Sequence, residues 1–315
     1  RYGRSLRPAR VAAGAHSTGH NHCAEVLAEH QLIPHLGAPL LQKLRPAQIA
    51  DWHKILLRSG GRNGRPLAAA GTVGHAHRVL HSALAHAARV ETVSRNVASI
   101  IVPPQVDAGQ VVSLINGQIA QVLAKLEKYA IYPIAVAAFG TGMRRGELCS
   151  LRWGAVDLDS ATINVERSLE ETNAGTRLKL PKSRQRLRQI VLPASVVDIL
   201  RAHRVKQIEL RLALGIGGPS PDDFVFCQVN GSPIPPDRLS QQWKRTAKAI
   251  GLRVTFHALR HTHASALIGA GFDVVTVSRR LGHSKASTTL NIYAHRFADT
   301  DTAAAQAMDA AMKKA

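Results

Sequence analysis

Apolar residues recur at helical spacing through much of the first hundred positions. Cys23 to Leu32 carries a helical pattern that is expected to stop at Pro34. From Pro46 to Arg58, Ile49, Trp52, Ile55 and Leu56 form one stripe. The Gly-rich stretch Gly60-Gly-Arg-Asn-Gly64 predicts a turn, and a helix is predicted over about Val73–Val90 with Val79, Leu80, Ala83, Leu84 and Ala87 inward. The segment up to His22 lacks periodicity and is expected to be loose. The prolines of Ile101-Val-Pro103-Pro104 disfavour helix in the residues before them, which marks an extended break.

Beyond the break the pattern is mixed. An apolar helix over Ile131–Ala138 is expected to end at a Gly140-Thr-Gly142 turn, and a second helix to begin near Met143. Alternation with Ile163 and Val165 on one face predicts a strand over Thr162–Arg167. Arg177–Leu180 and Gln189–Leu192 read as two more strands, and the three are expected to form one small antiparallel sheet. Ser195–Leu214 reads as a helix, and Phe224 to Pro233 as a hairpin-like loop. Further helices are expected over Leu239–Ile250, His257–Ala270 and Asp273–Leu281, with another from about Ser287. The Ala-rich end, with Ala304, Met308 and Met312 four residues apart, predicts a detachable tail helix. The expected class is mainly α with a small antiparallel sheet (α+β). Its expected organisation is a helical first domain at 1–102, a linker at 103–110, a mixed second domain at 111–299 and a tail at 300–315.

Composition narrows the partner. The formal net charge is +20 over 315 residues, carried by both halves, which favours nucleic acid. Three scattered cysteines without a CxxC argue against a disulfide framework and for a reducing compartment, here the cytoplasm. No apolar run approaches the ~18 residues of a membrane span, so no membrane partner is expected. The chain does not begin with Met, and an upstream piece is expected to be missing. His16, His20, His22 and Cys23 fit no established zinc spacing, and no metal or other cofactor is expected. His77 and His81 lie four apart, which permits zinc, but beside Arg78 they read as a DNA-facing or solvent-facing helix.

The chemistry lies in a set order of polar residues. Attack on a phosphodiester builds charge on the non-bridging oxygens, and arginine forks neutralise it without a metal. Arg144 follows a Gly-containing turn, and Arg260 shares a helix face with His257 three residues earlier. A tyrosine hydroxyl of ordinary pKa near 10 needs a base or a cationic surround, which His257 and His283 can supply to Tyr293. The departing 5′ oxygen needs an acid, and Lys182 sits on a tip between two predicted strands. Arg177, Lys179, Lys182, Arg184, Arg186 and Arg188 exceed what strands require, so some are expected to reach phosphates. Glu147 is expected to hold the Arg144 turn, and Asp157 and Asp159 to shape a turn.

These motifs resemble the tyrosine recombinases, the integrase group of phage and mobile-element DNA recombinases. The resemblance runs from Thr141-Gly-Met-Arg144-Arg-Gly-Glu147-Leu148, Leu151-Arg-Trp153 and Asp157 to Pro181-Lys182-Ser183 and Arg188-Gln-Ile-Val-Leu-Pro193. It continues in His257-Ala-Leu-Arg260-His-Thr-His-Ala-Ser265, Leu281-Gly-His283-Ser284 and Thr288-Thr-Leu-Asn-Ile-Tyr293. It implies a catalytic set of Arg144, Lys182, His257, Arg260, His283 and Tyr293, with Tyr293 the nucleophile. Arg145 stands where the family has an apolar or small residue. The resemblance further implies two domains clamping duplex recombination sites, strand transfer through a 3′-phosphotyrosyl link without ATP or metal, and a homotetramer on DNA. Accessory DNA-bending proteins are compatible partners. Two alternatives stay open at this point: a type IB topoisomerase-like relaxing enzyme and a non-catalytic, sequence-specific DNA binder. A phage or conjugative-element integrase and an Xer-like resolvase both fit the motifs.

Overall fold

The structure, a computed structural model, describes residues 24–38, 40–60, 70–104, 114, 116–172, 175–180 and 187–293, with 305, 306, 308, 309, 311 and 312. The chain divides into two compact units, Arg1–Gln110 and Val111–Ala315.

In the first unit the opening helix does not stop at Pro34. A π-helical turn, Ala28–Leu32, runs straight into α1, Ile33–Leu36. Proline lacks the N–H that an ordinary turn would use, and a widened turn before it tolerates that loss. Helix α2, Pro46–Ser59, starts on proline, and the Gln48 side-chain carbonyl accepts the Arg45 N–H at 2.8 Å. Its buried face is Ile49, Trp52, His53 and Leu56. Ile55, placed on that stripe by sequence, is 43% exposed; six residues from Ile49 is off the face, and His53 takes the inward position. Helix α3, Ala70–Arg89, packs Val73, Ala76, Leu80 and Leu84 into the same core. The Trp52 indole N–H donates to Gln31 O at 2.8 Å, tying the opening segment to α2.

His77 is not solvent-facing. It is buried against His53, with His53 Nε2 and His77 Nδ1 3.1 Å apart. Burial first, and His77 second, lower the His53 pKa from 6.5 to about 4. The unfolded chain therefore binds the proton first as pH falls below 6.5. Stability fully present above that pH is lost toward pH 4, by about 2 kcal/mol at pH 5. Hydrogen exchange of the α2 amides in the full chain, compared at pH 7.5 and 5 after correction for intrinsic rates, should show this loss. Equal protection at both pH values would contradict it.

In the second unit α4, Asn116–Leu126, precedes α5, Tyr132–Thr141, which is buried on nearly every side from Ile134 to Phe139. Helix α5 runs through Gly140 and ends only at Gly142. Helix α6, Arg145–Cys149, is a single short turn. Strands β1, Val156–Asp157, and β2, Thr162–Val165, join through a turn in which Asp157 Oδ1 accepts the Asp159 and Ser160 N–H groups, both at 2.9 Å. Strands β3, Ser168–Thr172, and β4, Gly175–Lys179, form a separate antiparallel hairpin. Strand β5, Arg188–Val191, pairs with β2.

The expected single sheet is therefore two: β1-β2-β5, and β3-β4 apart from it. Ile163, Val165 and Ile190 give the first a face to bury, whereas β4 is exposed up to Lys179 and has none. Helices α7, Ala194–Ala213, and α8, Pro236–Ala249, cover the core. Helix α9, Phe256–Gly269, is capped by Thr255, whose hydroxyl accepts the Ala258 N–H at 3.2 Å. Helix α10, Val274–Leu281, is capped by Asp273, which accepts the Val275 N–H at 2.8 Å and the Thr276 N–H at 3.0 Å. Helix α11, Ala286–Tyr293, follows, and Ala264, Ile268, Val277, Leu281 and Tyr293 make a small core between α9, α10 and α11. In the tail, Ala305, Gln306, Met308, Asp309, Ala311 and Met312 are helical and exposed. No helix among the described residues is long and apolar enough to cross a membrane.

Candidate active site

The site begins where α5 ends. Gly142 takes φ 64°, and a side chain there would meet His263 at 2.6 Å and Leu281 at 2.9 Å, so the turn needs glycine twice over. Arg144 then heads α6. Glu147, three residues on, accepts the Arg144 backbone N–H at 2.8 Å and pairs with its guanidinium Nη1 at 2.9 Å. The same carboxylate takes a two-pronged grip from Arg188, at 3.1 and 2.8 Å. Burial alone would raise the Glu147 pKa. The hydrogen bonds and charge of Arg188, followed by Arg144, outweigh it and leave the pKa lowered. Glu147 is thus an ionised, buried centre for two arginines 44 positions apart in sequence.

Three arginines converge on the end of α10. Arg188 Nε donates to Arg280 O at 2.9 Å, Arg260 Nη2 to Leu281 O at 2.8 Å, and Arg144 Nη2 to Gly282 O at 2.7 Å. These carbonyls close a helix, where backbone acceptors lack helical partners and cations are favoured. Arg260 also donates from Nη1 to Gly142 O at 2.6 Å, which joins the α5 turn to the α10 turn. Gly282 adopts φ 68°, and a side chain on it would strike the Arg188 guanidinium at 2.7 Å. Burial, then the charge of Arg144, lowers the Arg260 pKa to about 9, so it stays cationic at neutral pH. Three guanidinium groups face one carboxylate. Arg144 keeps about a third of its side chain exposed, so the surplus charge is open to an incoming anion.

The tyrosine lies beside this cluster. Tyr293 ends α11 and is 2% exposed. Burial raises its pKa to about 12, although the charge of Arg260 opposes the rise. Its hydroxyl is 2.6 Å from His261 Nδ1. The His257 ring meets the His261 ring edge to face at a centroid distance of 4.7 Å. His283 Nδ1 lies 2.8 Å from Thr289 Oγ1. Burial first lowers His257 and His283 to about 4, followed by His261 and then the arginines at His257 and by the arginines at His283, and His261 is lowered by burial and Arg260. The histidines are therefore neutral at pH 7, and among the described residues the cationic surround comes from arginine.

Of the residues expected from sequence, Arg144 and Arg260 meet at one turn, and His257, His283 and Tyr293 lie around it. Lys182, Arg184 and Arg186 fall outside the described residues, as do His16, His20, His22 and Cys23. The partner of Tyr293 is His261, not His257 or His283. One signal was available: His261 is four residues after His257, on the same helix face. Arg145 turns away to Ser240 at 2.6 Å and Asp237 at 2.9 Å. Two of the basic residues expected to reach phosphates are bound internally, Lys179 to Glu170 at 2.8 Å and Arg188 to Glu147.

The chain is similar to known proteins, above all along its second unit. Residues 107–299 match the phage integrase family. A XerC-like tyrosine recombinase of Caldanaerobacter subterraneus is 31% identical over 190 residues, 56% of this chain and 49% of that protein. The ICEBs1 integrase of Bacillus subtilis is 30% identical over 173 residues, 55% of this chain and 46% of that protein. The chain thus spans about half the length of these relatives. An integrase of Streptomyces ambofaciens is 28% identical over 302 residues, 91% of this chain and 74% of that protein. Among solved structures, the Tn1549 transposon integrase in complex with a circular intermediate DNA has a TM-score of 0.79 at 22% identity, covering 94% of this chain and 95% of that one. A lambda integrase dimer bound to a core site has a TM-score of 0.64 at 16% identity, covering 92% of each chain. The arginine cluster and the fold around it are therefore set in a chain that belongs to the phage integrase family.

Proposed function

We propose that the chain cleaves and rejoins DNA at specific sites as a tyrosine recombinase. The observation that carries this reading is the surplus of two positive charges around Glu147, next to a tyrosine hydroxyl. A phosphodiester brings one negative charge, and in-line attack adds a second on its non-bridging oxygens. Arg144 and Arg260 hold that charge, with the neutral His257 and His283 as hydrogen-bonding partners of the phosphate. Tyr293 Oη forms a bond to phosphorus as the bond to the 5′ oxygen breaks. The 5′ oxygen takes a proton from Lys182 and leaves as a hydroxyl. Attack by a 5′ hydroxyl on the phosphotyrosine reverses the step, so the bond energy is kept. The net charge of +20 supports duplex DNA as the substrate. Four protomers on two duplexes would allow strands to be exchanged, an assembly to be checked by the mass of the complex formed on two-site DNA.

The test is covalent capture. Nicked duplexes with a randomised core are incubated with the full chain, denatured in detergent and sequenced from the protein-linked fraction. The linked residue is then mapped by peptide mass. We expect one linked residue, Tyr293, and one enriched sequence. Absence of any linked DNA would overturn the reading. On the selected duplex, Lys182→Ala should slow cleavage about 100-fold or more, yet be nearly normal when the 5′ bridging oxygen is sulfur, a leaving group that hardly needs a proton. A defect of equal size on both would assign Lys182 to DNA positioning.

A further inference from the structure

We propose that His261 is a catalytic residue, the base that takes the Tyr293 phenol proton through Nδ1 as the oxygen attacks phosphorus. This rests on the reading of Tyr293 as nucleophile and goes beyond it, because neither motif order nor spacing assigns His261 a role. The geometry is direct: Nδ1 lies 2.6 Å from Tyr293 Oη, and the contact joins α9 to the last residue of α11. His257 packs its ring against the His261 ring, and His283 is bonded to Thr289. Neither makes a hydrogen bond to the phenol.

The groups around His261 fix its state. On its own helix it faces Arg260 and His257; from α11 and the turn before it come Tyr293 and His283. Burial and the Arg260 charge lower the His261 pKa, so the imidazole is neutral at pH 7. With the proton on Nε2, the Nδ1 lone pair accepts the Tyr293 O–H. A phenol raised to about 12 does not yield its proton to this imidazole in the resting protein. Transfer must accompany bond formation, when the phenol oxygen loses its negative character to phosphorus and the arginines hold the charge on the other oxygens. The step balances: the Oη–H bond breaks, Nδ1 gains the proton, Oη bonds to phosphorus, and the 5′ oxygen leaves protonated. In rejoining, the imidazolium returns the proton to the departing phenolate.

The test uses the full chain and the nicked duplex selected by covalent capture, in single-turnover cleavage at saturating protein. His261→Gln should slow cleavage about 100-fold. It should also remove the fall in rate expected of the native chain as the pH drops through the lowered pKa of His261. His261→Asn keeps an acceptor near the Nδ1 position but cannot carry a proton, and it should remain slow. Rejoining from the preformed covalent complex should be slowed to a similar degree. Circular dichroism and duplex binding equal to the native chain establish that both variants are folded. Cleavage by either variant at the native rate or faster would overturn the proposal, the faster case making His261 a restraint on the tyrosine. A slow variant with an unchanged pH profile would overturn it as well. Failure of the underlying reading looks different: the linked peptide of the native chain would then map to a residue other than Tyr293.

Discussion

Tyr293→Phe is expected to abolish covalent attachment to DNA altogether while leaving duplex binding intact. The change removes one atom, the hydroxyl oxygen, from a side chain that is 2% exposed and whose ring fills the small core between α9, α10 and α11. The ring stays, so packing is kept. The lost hydrogen bond to His261 costs roughly 1 kcal/mol of stability, too little to unfold the unit. The arginines at the α10 turn are bonded to backbone carbonyls and Glu147 rather than to the phenol, so the anion site survives. Denaturing gels with the selected nicked duplex should show no slow-migrating species, and native gels an unchanged shift. A covalent band from the Phe variant would place the nucleophile elsewhere.

Arg260→Ala is expected to slow cleavage by at least about 100-fold, because one preorganised donor to a developing oxyanion is worth roughly 3 kcal/mol. The loss should exceed that of a surface arginine for a structural reason. Arg260 is 4% exposed and joins Gly142 O to Leu281 O, so its removal frees both turns that carry Arg144 and His283. Arg260→Lys keeps a charge but cannot span both carbonyls, and it should remain slow. Arg144→Ala should match the loss, since Arg144 reaches the same turn through Gly282 O. Arg145→Ala should cost little, because Arg145 is committed to Asp237 and Ser240. Single-turnover rates on the selected duplex, with circular dichroism to confirm folding, decide the matter. If Arg145→Ala proved the more damaging of the two neighbours, the assignment would be one residue out of register.

What the sequence determined by itself was whatever is encoded within a few residues. The 3–4 residue recurrence around Ile49 and Leu80 specified helices, and alternation at Ile163 and Val165 specified a strand. The order Arg144, His257, Arg260, His283, Tyr293 was legible along the chain. Local signals misled where a local rule met a tertiary demand. Pro34 did not end its helix, and His53 displaced Ile55 from the buried face because His77 of α3 lay opposite. The Arg177 strand paired with Ser168–Thr172, because β4 had no apolar face to offer the main sheet. Only the tertiary structure could show that Glu147 is shared by Arg144 and Arg188, or that three arginines hold three consecutive carbonyls. It alone paired Tyr293 with His261, 32 positions away, rather than with the histidines of the motif. The reason is physical. Periodicity and capping depend on neighbours along the chain, whereas the partner of a buried charge or phenol is fixed by which helices pack together, and that is settled by the whole core at once.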